Sequence, residues 1–163
     1  MALTIEDGTS KADADSYISL ADADEFHTLR GNSSWLEASE SEREQALRKA
    51  AAYIDSNYRF VGFRETAEQS LAWPRANARD EGGRAVEGVP RKVRDGQAIA
   101  AGILLTRELF TVAERGGRIR RVQVGPIVQE FASSASDTTD PQEVTALLRE
   151  FTHGVGNVKV SRS

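Results

Sequence analysis

The run from Ala98 to Leu105, AIAAGILL, is apolar on every side of a helix, and it limits the possible folds more than any other feature. A helix with no polar face has to be covered all round. The run is far shorter than the roughly 20 apolar residues needed to span a bilayer, so its cover must be protein. Pro90 suits the first turn of a helix, and the pattern predicts a helix over 91–113, the longest in the chain. Ala98 and Gly102 stand four apart, a small-residue spacing that lets another helix come close. At 163 residues the chain is one domain by length and has few elements with which to surround this helix. The cover is either an ordinary core around a central helix or, in part, a neighbouring subunit.

The rest of the pattern is also mainly helical. Ser19 caps a helix to about Leu29, with Asp22 and Asp24 in the early turns where the dipole favours acid. Gly31, Asn32, Ser33 and Ser34 break it, and Trp35 and Leu36 anchor the connection to the core. Ser39 and Glu42 have capping-box spacing. Leu47, Ala50, Ala51, Ile54 and Tyr58 then recur at helical spacing, opposite a solvated face of Glu40, Glu44, Arg48, Lys49 and Asp55, over about 40–57. From Tyr58 to Pro90 periodicity fades into a long structured loop, and a loop this long in a compact domain usually has a job. Arg120–Val124 and Ile127–Phe131, around Gly125 and Pro126, suggest a hairpin or extended arm. Residues 132–140 have linker composition. Asp140 and Pro141 start a short helix striped with Val144, Leu147, Leu148 and Phe151, and Val155, Val158 and Val160 alternate beyond it as in a strand. The expected architecture is a small helical bundle with a long structured loop, a β-hairpin or extended arm, and a C-terminal helical tail. Its parts are an N-terminal arm (1–15), the bundle (16–117), the hairpin or arm (118–131), and a linker with the tail (132–163).

A search for chemistry returns negatives. The chain has no cysteine, and its two histidines, His27 and His153, lack a second ligand at metal-binding spacing. There is no nucleophile elbow, and neither Gly82-Gly83 nor Gly116-Gly117 has the Lys-Ser/Thr sequel of a phosphate loop. The acidic ladder Asp13, Asp15, Asp22 and Asp24 fails as a calcium loop, because Ile18 or His27 falls where glycine must turn. The alternatives left for it are paired carboxylates bridging metals and solvated acids near a helix start. No catalytic, cofactor or metal residue is therefore assigned, and the chain is not expected to be an enzyme. The opening MALTIEDGTSKADADSY has no apolar leader segment, so a soluble chain made in the cytoplasm is expected. A net charge of -4 argues against a dedicated nucleic-acid binder, without excluding a local basic patch. Two basic groups stand out: Arg75, Arg79, Arg84, Arg91, Lys92 and Arg94, and the denser Arg115, Arg118, Arg120 and Arg121. The second is either a set of phosphate contacts or a solvated, salt-bridged hairpin. The first, diluted by Asp80, Glu81 and Glu87 and interleaved with Trp73 alone, makes a poor single-strand stacking platform.

The stretch 51–93 carries a family resemblance. Ala51, Tyr53, Ile54 and Asp55 lead to Tyr58, Gly62 and Arg64, then to Gln69, Leu71, Trp73, Pro74 and Arg75, then to Asp80, Gly82, Val89 and Pro90. With Ser16, Tyr17, Ala21, Ala23 and Phe26 upstream, this pattern resembles the head–tail connector (adaptor, or head-completion) proteins of tailed bacteriophages. The resemblance implies a structural virion protein, a helical-bundle subunit in a homo-oligomeric ring, commonly of twelve, beneath the portal. Such a ring extends the channel for packaged DNA at the head–tail interface, after assembly in the host cytoplasm. The implied partners are the portal protein and a tail-side connector, stopper or tail protein, with no membrane. Val144, Leu147, Leu148 and Phe151 would then be a portal-binding helix, the alternative being a helix folded back on its own bundle. Arg115, Arg118, Arg120 and Arg121 would line the channel or meet the tail-side partner. Gln69, Trp73, Pro74 and Arg75 look like a latch that pins the long loop. Relatives of this type are sometimes labelled DnaT-like single-stranded-DNA-binding proteins. The acidic total and sparse aromatics weigh against that alternative, which predicts salt-dependent oligonucleotide binding.

Overall fold

The structure is a computed structural model and describes residues 2–106, 121–124, 127–130 and 141–153. It is mainly α. Helix α1 (Leu20–Leu29) is capped by Ser19, whose hydroxyl oxygen accepts from the Asp22 N–H, and buries Ala23, Phe26 and His27. Gly31, at φ +63°, turns the chain. Asn32 then caps the short α2 (Ser33–Glu37) by accepting from the Trp35 N–H. Trp35 is fully buried while Leu36 stays exposed. The Trp35 indole N–H donates to Asp24 Oδ1 at 2.8 Å. Helix α3 (Glu40–Asn57) opens with the complete Ser39/Glu42 capping box. At 18 residues it is the longest helix among those described. Helix α4 (Arg91–Leu104) follows Pro90. It ends earlier than the apolar run suggested, because the chain turns at Leu105 and Thr106, the latter donating to Ile103 O at 2.9 Å; residues 107–113 lie outside the described residues.

The cover of α4 comes from its own chain, from α3, α1 and α5 (Gln142–Leu148). Gly102 sits directly under the His27 and Asn32 side chains, and Gly96 under Leu148 and Val144. One polar side chain is hidden in this helix. Gln97 is fully buried, donates to Ser16 Oγ and Leu47 O at 2.8 Å each, and accepts from the Tyr17 N–H at 2.8 Å. With three partners it is satisfied, as a buried amide must be, and it ties α4 to α3 and to the chain before α1.

Residues 2–16 are docked on the bundle rather than loosely extended. Glu6 is buried, and its carboxylate accepts from the N–H groups of Gly8, Ser10 and Lys11 at 2.8–3.0 Å. Ile5 and Ser16 form a parallel bridge. Asp55 does not lie on the solvated face of α3. It accepts from the Tyr17 hydroxyl and from the Ala72 N–H, and burial pushes its carboxyl up against the lowering pull of those two bonds. The same burial, with the Asp55 charge, pushes the Tyr17 hydroxyl up.

The 58–90 loop is packed down around four residues. Gln69 is buried, accepts from Thr66 N and donates to Leu71 O and Pro74 O. Trp73 is fully buried and precedes Pro74 through a cis peptide bond. The Arg75 guanidinium donates to the carbonyls of Val61, Gly62, Ala72 and Phe60 at 2.7–3.3 Å. Strands β1 (Phe63–Arg64) and β2 (Arg75–Ala76) pair antiparallel in the register Phe63 with Ala76. Farther on, β3 (Arg121–Val124) and β4 (Ile127–Glu130) form an antiparallel hairpin. The linker 132–140, its Asp140 cap and the proposed strand of Val155, Val158 and Val160 lie outside the described residues.

Candidate nucleic-acid interface

The C-terminal stripe does not present an anchor for a partner groove. Val144 and Leu148 of α5 and Phe151 of the following 3-10 turn (Arg149–Phe151) are buried in the bundle, and Leu147 is half-buried. Phe151 meets Trp73 edge to face, the ring centroids 5.8 Å apart. The physical reason is area: the apolar stripe finds its cover on α4 and on Trp73, within the same chain. Beyond the turn, residues 151–153 run antiparallel to 59–61. Val61 N–H donates to Phe151 O at 2.9 Å, and His153 N–H to Arg59 O at 3.0 Å.

The first basic group does not converge. Arg75 faces inward, Arg84 pairs with Asp80 at 3.1 Å, Arg91 with Asp95 at 3.6 Å, and Lys92 with Glu150. Arg79 donates to Gly83 O at 2.7 Å, and Arg94 is exposed. In the second group Arg121 opens β3 opposite Glu130; Arg115, Arg118 and Arg120 lie outside the described residues. The acidic ladder is dispersed as well. Asp15 pairs with Arg48 at 2.6 Å, Asp24 with Arg43 at 2.8 Å, and Asp22 accepts from the Ser19 hydroxyl at 2.7 Å. Among the described residues no group of three or more His, Asp or Glu could hold a metal ion. No helix there is long and apolar enough to cross a membrane.

His27 is a core histidine. Its ring stacks on Trp35 at 4.2 Å between centroids, and its Nε2–H donates to Ala98 O at 3.0 Å. Nδ1 accepts from the Asn32 amide at 3.1 Å, an orientation fixed because Asn32 Oδ1 caps Trp35 N. Burial holds its pKa below the ordinary value.

His153 belongs to a different arrangement. The end of α3 and the segment after α5 enclose a cleft of about 540 Å³ lined by Asn57, Tyr58, Arg59, Thr145, Arg149, Thr152 and His153. The α3 terminus builds one wall. Asn57 donates to Tyr53 O at 2.9 Å, and the Tyr58 hydroxyl is hydrogen-bonded to Thr145 Oγ1 at 2.9 Å, joining the wall to α5. The exposed Arg59 and Arg149 have no ion-pair partner among the described residues. Among the described residues no carboxylate lines this cleft. Three other clefts among the described residues all contain acid: Asp22, Glu25 and Asp95 in one, Glu143 in the second, Glu65 and Glu87 in the third. Two guanidinium forks and an imidazole suit a phosphodiester. Sequence reading missed this set because Arg59 and Arg149 are separated by most of the chain. Neither belongs to a basic run; only the pairing of 59–61 with 151–153 joins them.

A model of the family described as "Putative DnaT-like ssDNA binding protein" matches the chain over residues 1–163. Neither the curated proteins nor the solved structures include a match to it. This finding corrects the connector reading. The structural-virion role, the ring beneath the portal, and the portal and tail-side partners give way to the reading held as the alternative. The match extends over the whole sequence, and the chain belongs to the DnaT-like ssDNA-binding family.

Proposed function

We propose that the protein binds single-stranded DNA without acting on it chemically, and that the Arg59–Arg149–His153 cleft is where the strand lies. The observation that carries this reading is the composition of the cleft wall, which among the described residues holds two arginines with no ion-pair partner and no acid. The family description points the same way. A net charge of -4 repels a polyanion at long range, so attraction has to be local and is strongest where no carboxylate offsets the arginines. Tyr58, half-buried beside Arg59, lines the same cleft.

The test is fluorescence anisotropy of a labelled oligothymidine against salt concentration. Single strands lose affinity with a logarithmic slope of about -0.7 for each phosphate neutralised. An Arg59→Ala/Arg149→Ala variant is expected to bind at least tenfold more weakly, its slope flatter by about 1.4. Both side chains are exposed, so the variant retains its fold. Absence of binding by the wild-type protein at low salt would overturn the proposal, as would an unchanged salt slope in the variant.

A further inference from the structure

We propose that Phe63, on the β1–β2 ribbon four residues after Arg59, is a base-stacking platform for the bound strand. The inference rests on the single-stranded-DNA reading and adds a binding residue to it. Phe63 is 70% exposed, and no other aromatic ring among the described residues contacts it. Its cross-strand neighbour is Ala76, also exposed and too small to cover the ring.

A single exposed apolar side chain is ordinary on a protein surface. Two features set this one apart. The first is the rigidity of its support. Gly62 sits at φ +76°, and a Cβ there would come within 2.5 Å of Ala76 O and 2.8 Å of Ala78 N. The backbone before Phe63 is therefore pressed flat on the chain that follows β2, and Arg75 holds the Phe60, Val61 and Gly62 carbonyls in place. A ring presented on fixed backbone loses little freedom when a ligand stacks on it.

The second feature is charge. Exposed Arg59, Arg64 and Arg79 stand around the ribbon with no ion-pair partner among the described residues; Arg64 and Arg79 donate only to the Gln69 and Gly83 carbonyls. Arg59 is four residues before Phe63. Extended chain covers at most about 14 Å over that distance, about four nucleotides at the roughly 3.4 Å stacked spacing. One strand can therefore place a phosphate at Arg59 and a base on Phe63.

The experiment compares wild type, Phe63→Ala, Phe63→Leu and Phe63→Trp by anisotropy on oligothymidine and on an abasic oligomer of equal length. Base–aromatic stacking is worth about 1–3 kcal/mol per base, so Phe63→Ala is expected to weaken oligothymidine binding about five- to a hundred-fold. Its salt slope should not change, since no phosphate contact is lost. Phe63→Leu, which keeps apolar bulk without a π-face, should lose affinity similarly, and Phe63→Trp should retain it. On the abasic oligomer wild type and Phe63→Ala should bind alike. Oligothymidine binding by Phe63→Ala within twofold of wild type would overturn the inference while leaving the DNA-binding reading intact. Failure of the wild type to bind would remove that reading first.

Discussion

Replacing Gly102 of α4 by alanine is expected to destabilise the fold, and replacing Gly96 of the same helix to stabilise it. Alanine is favoured over glycine inside a helix by up to about 1 kcal/mol, so the helix term has one sign at both positions. The surroundings differ. A Cβ on Gly96 would lie 3.5 Å from Leu148 Cδ2 and 3.8 Å from Val144 Cγ1, ordinary contact that adds packing. A Cβ on Gly102 would lie 2.8 Å from His27 Cε1 and 2.9 Å from Asn32 Nδ2. Neither neighbour has slack. The His27 ring is stacked on Trp35 and held at both nitrogens, and Asn32 caps α2. Relieving the clash breaks at least one buried hydrogen bond, at about 1–3 kcal/mol, or strains the core by about 1–3 kcal/mol. After the helix term, which offsets up to about 1 kcal/mol of that cost, the expected net loss for Gly102→Ala is about 1–2 kcal/mol. Urea unfolding followed by the fluorescence of Trp35 and Trp73 reads both variants. A Gly102→Ala protein as stable as wild type would refute the reasoning, because α1 and α2 could not then lie so close to α4.

Leu148→Ala should lower the urea midpoint by the equivalent of about 2–5 kcal/mol, the usual range for a fully buried leucine, with an unchanged slope; a loss under about 1 kcal/mol would show that α5 is not docked on α4. His27 gives the fold a pH dependence of definite sign. Its folded pKa is lowered, so below about pH 6.5 the unfolded ring takes up a proton that the folded ring resists, and stability falls with falling pH by up to about 1.4 kcal/mol per unit. Urea midpoints of wild type and His27→Gln between pH 8 and 5 test this: the advantage of the wild type should shrink in acid, and a constant difference would contradict the account.

Local chemistry was the most legible part of the sequence. Ser19, and Ser39 with Glu42, act within one turn of their helices, so the starts of α1 and α3 needed no tertiary knowledge. The fold class followed from the same periodicities. Asp55 was misplaced because helical spacing puts it beside solvated acids, and only Tyr17 and Ala72, distant in sequence, draw it inward. The burial of Gln97, just before the apolar run, was not legible because its three partners come from residues 16, 17 and 47. The end of α4 was overrun for a related reason: apolar periodicity continues past Leu104, while the turn at Leu105 and Thr106 carries no glycine or proline to announce it. The candidate site was the least legible, since Arg59 and Arg149 become neighbours only after the segment following α5 has paired with 59–61.

The residues that carried the connector resemblance explain why it could not decide function. Tyr17, Asp55, Gln69 and Arg75 turn out to hold backbone, while Gly62 allows close packing and Trp73 fills the core. Tyr17 and Asp55 receive the Ala72 N–H, Gly62 permits close contact with Ala76 and Ala78, and Arg75 gathers four carbonyls. Such residues specify how the long loop lies on the bundle, and any protein built on that scaffold needs them whatever it binds. The groups open to a ligand, Arg59, Phe63 and Arg149, are absent from that set. They are also the ones a surface can exchange at little cost to stability, as all three are exposed. Function on this fold is therefore tested most directly at these three positions, where substitution alters binding while leaving the fold intact.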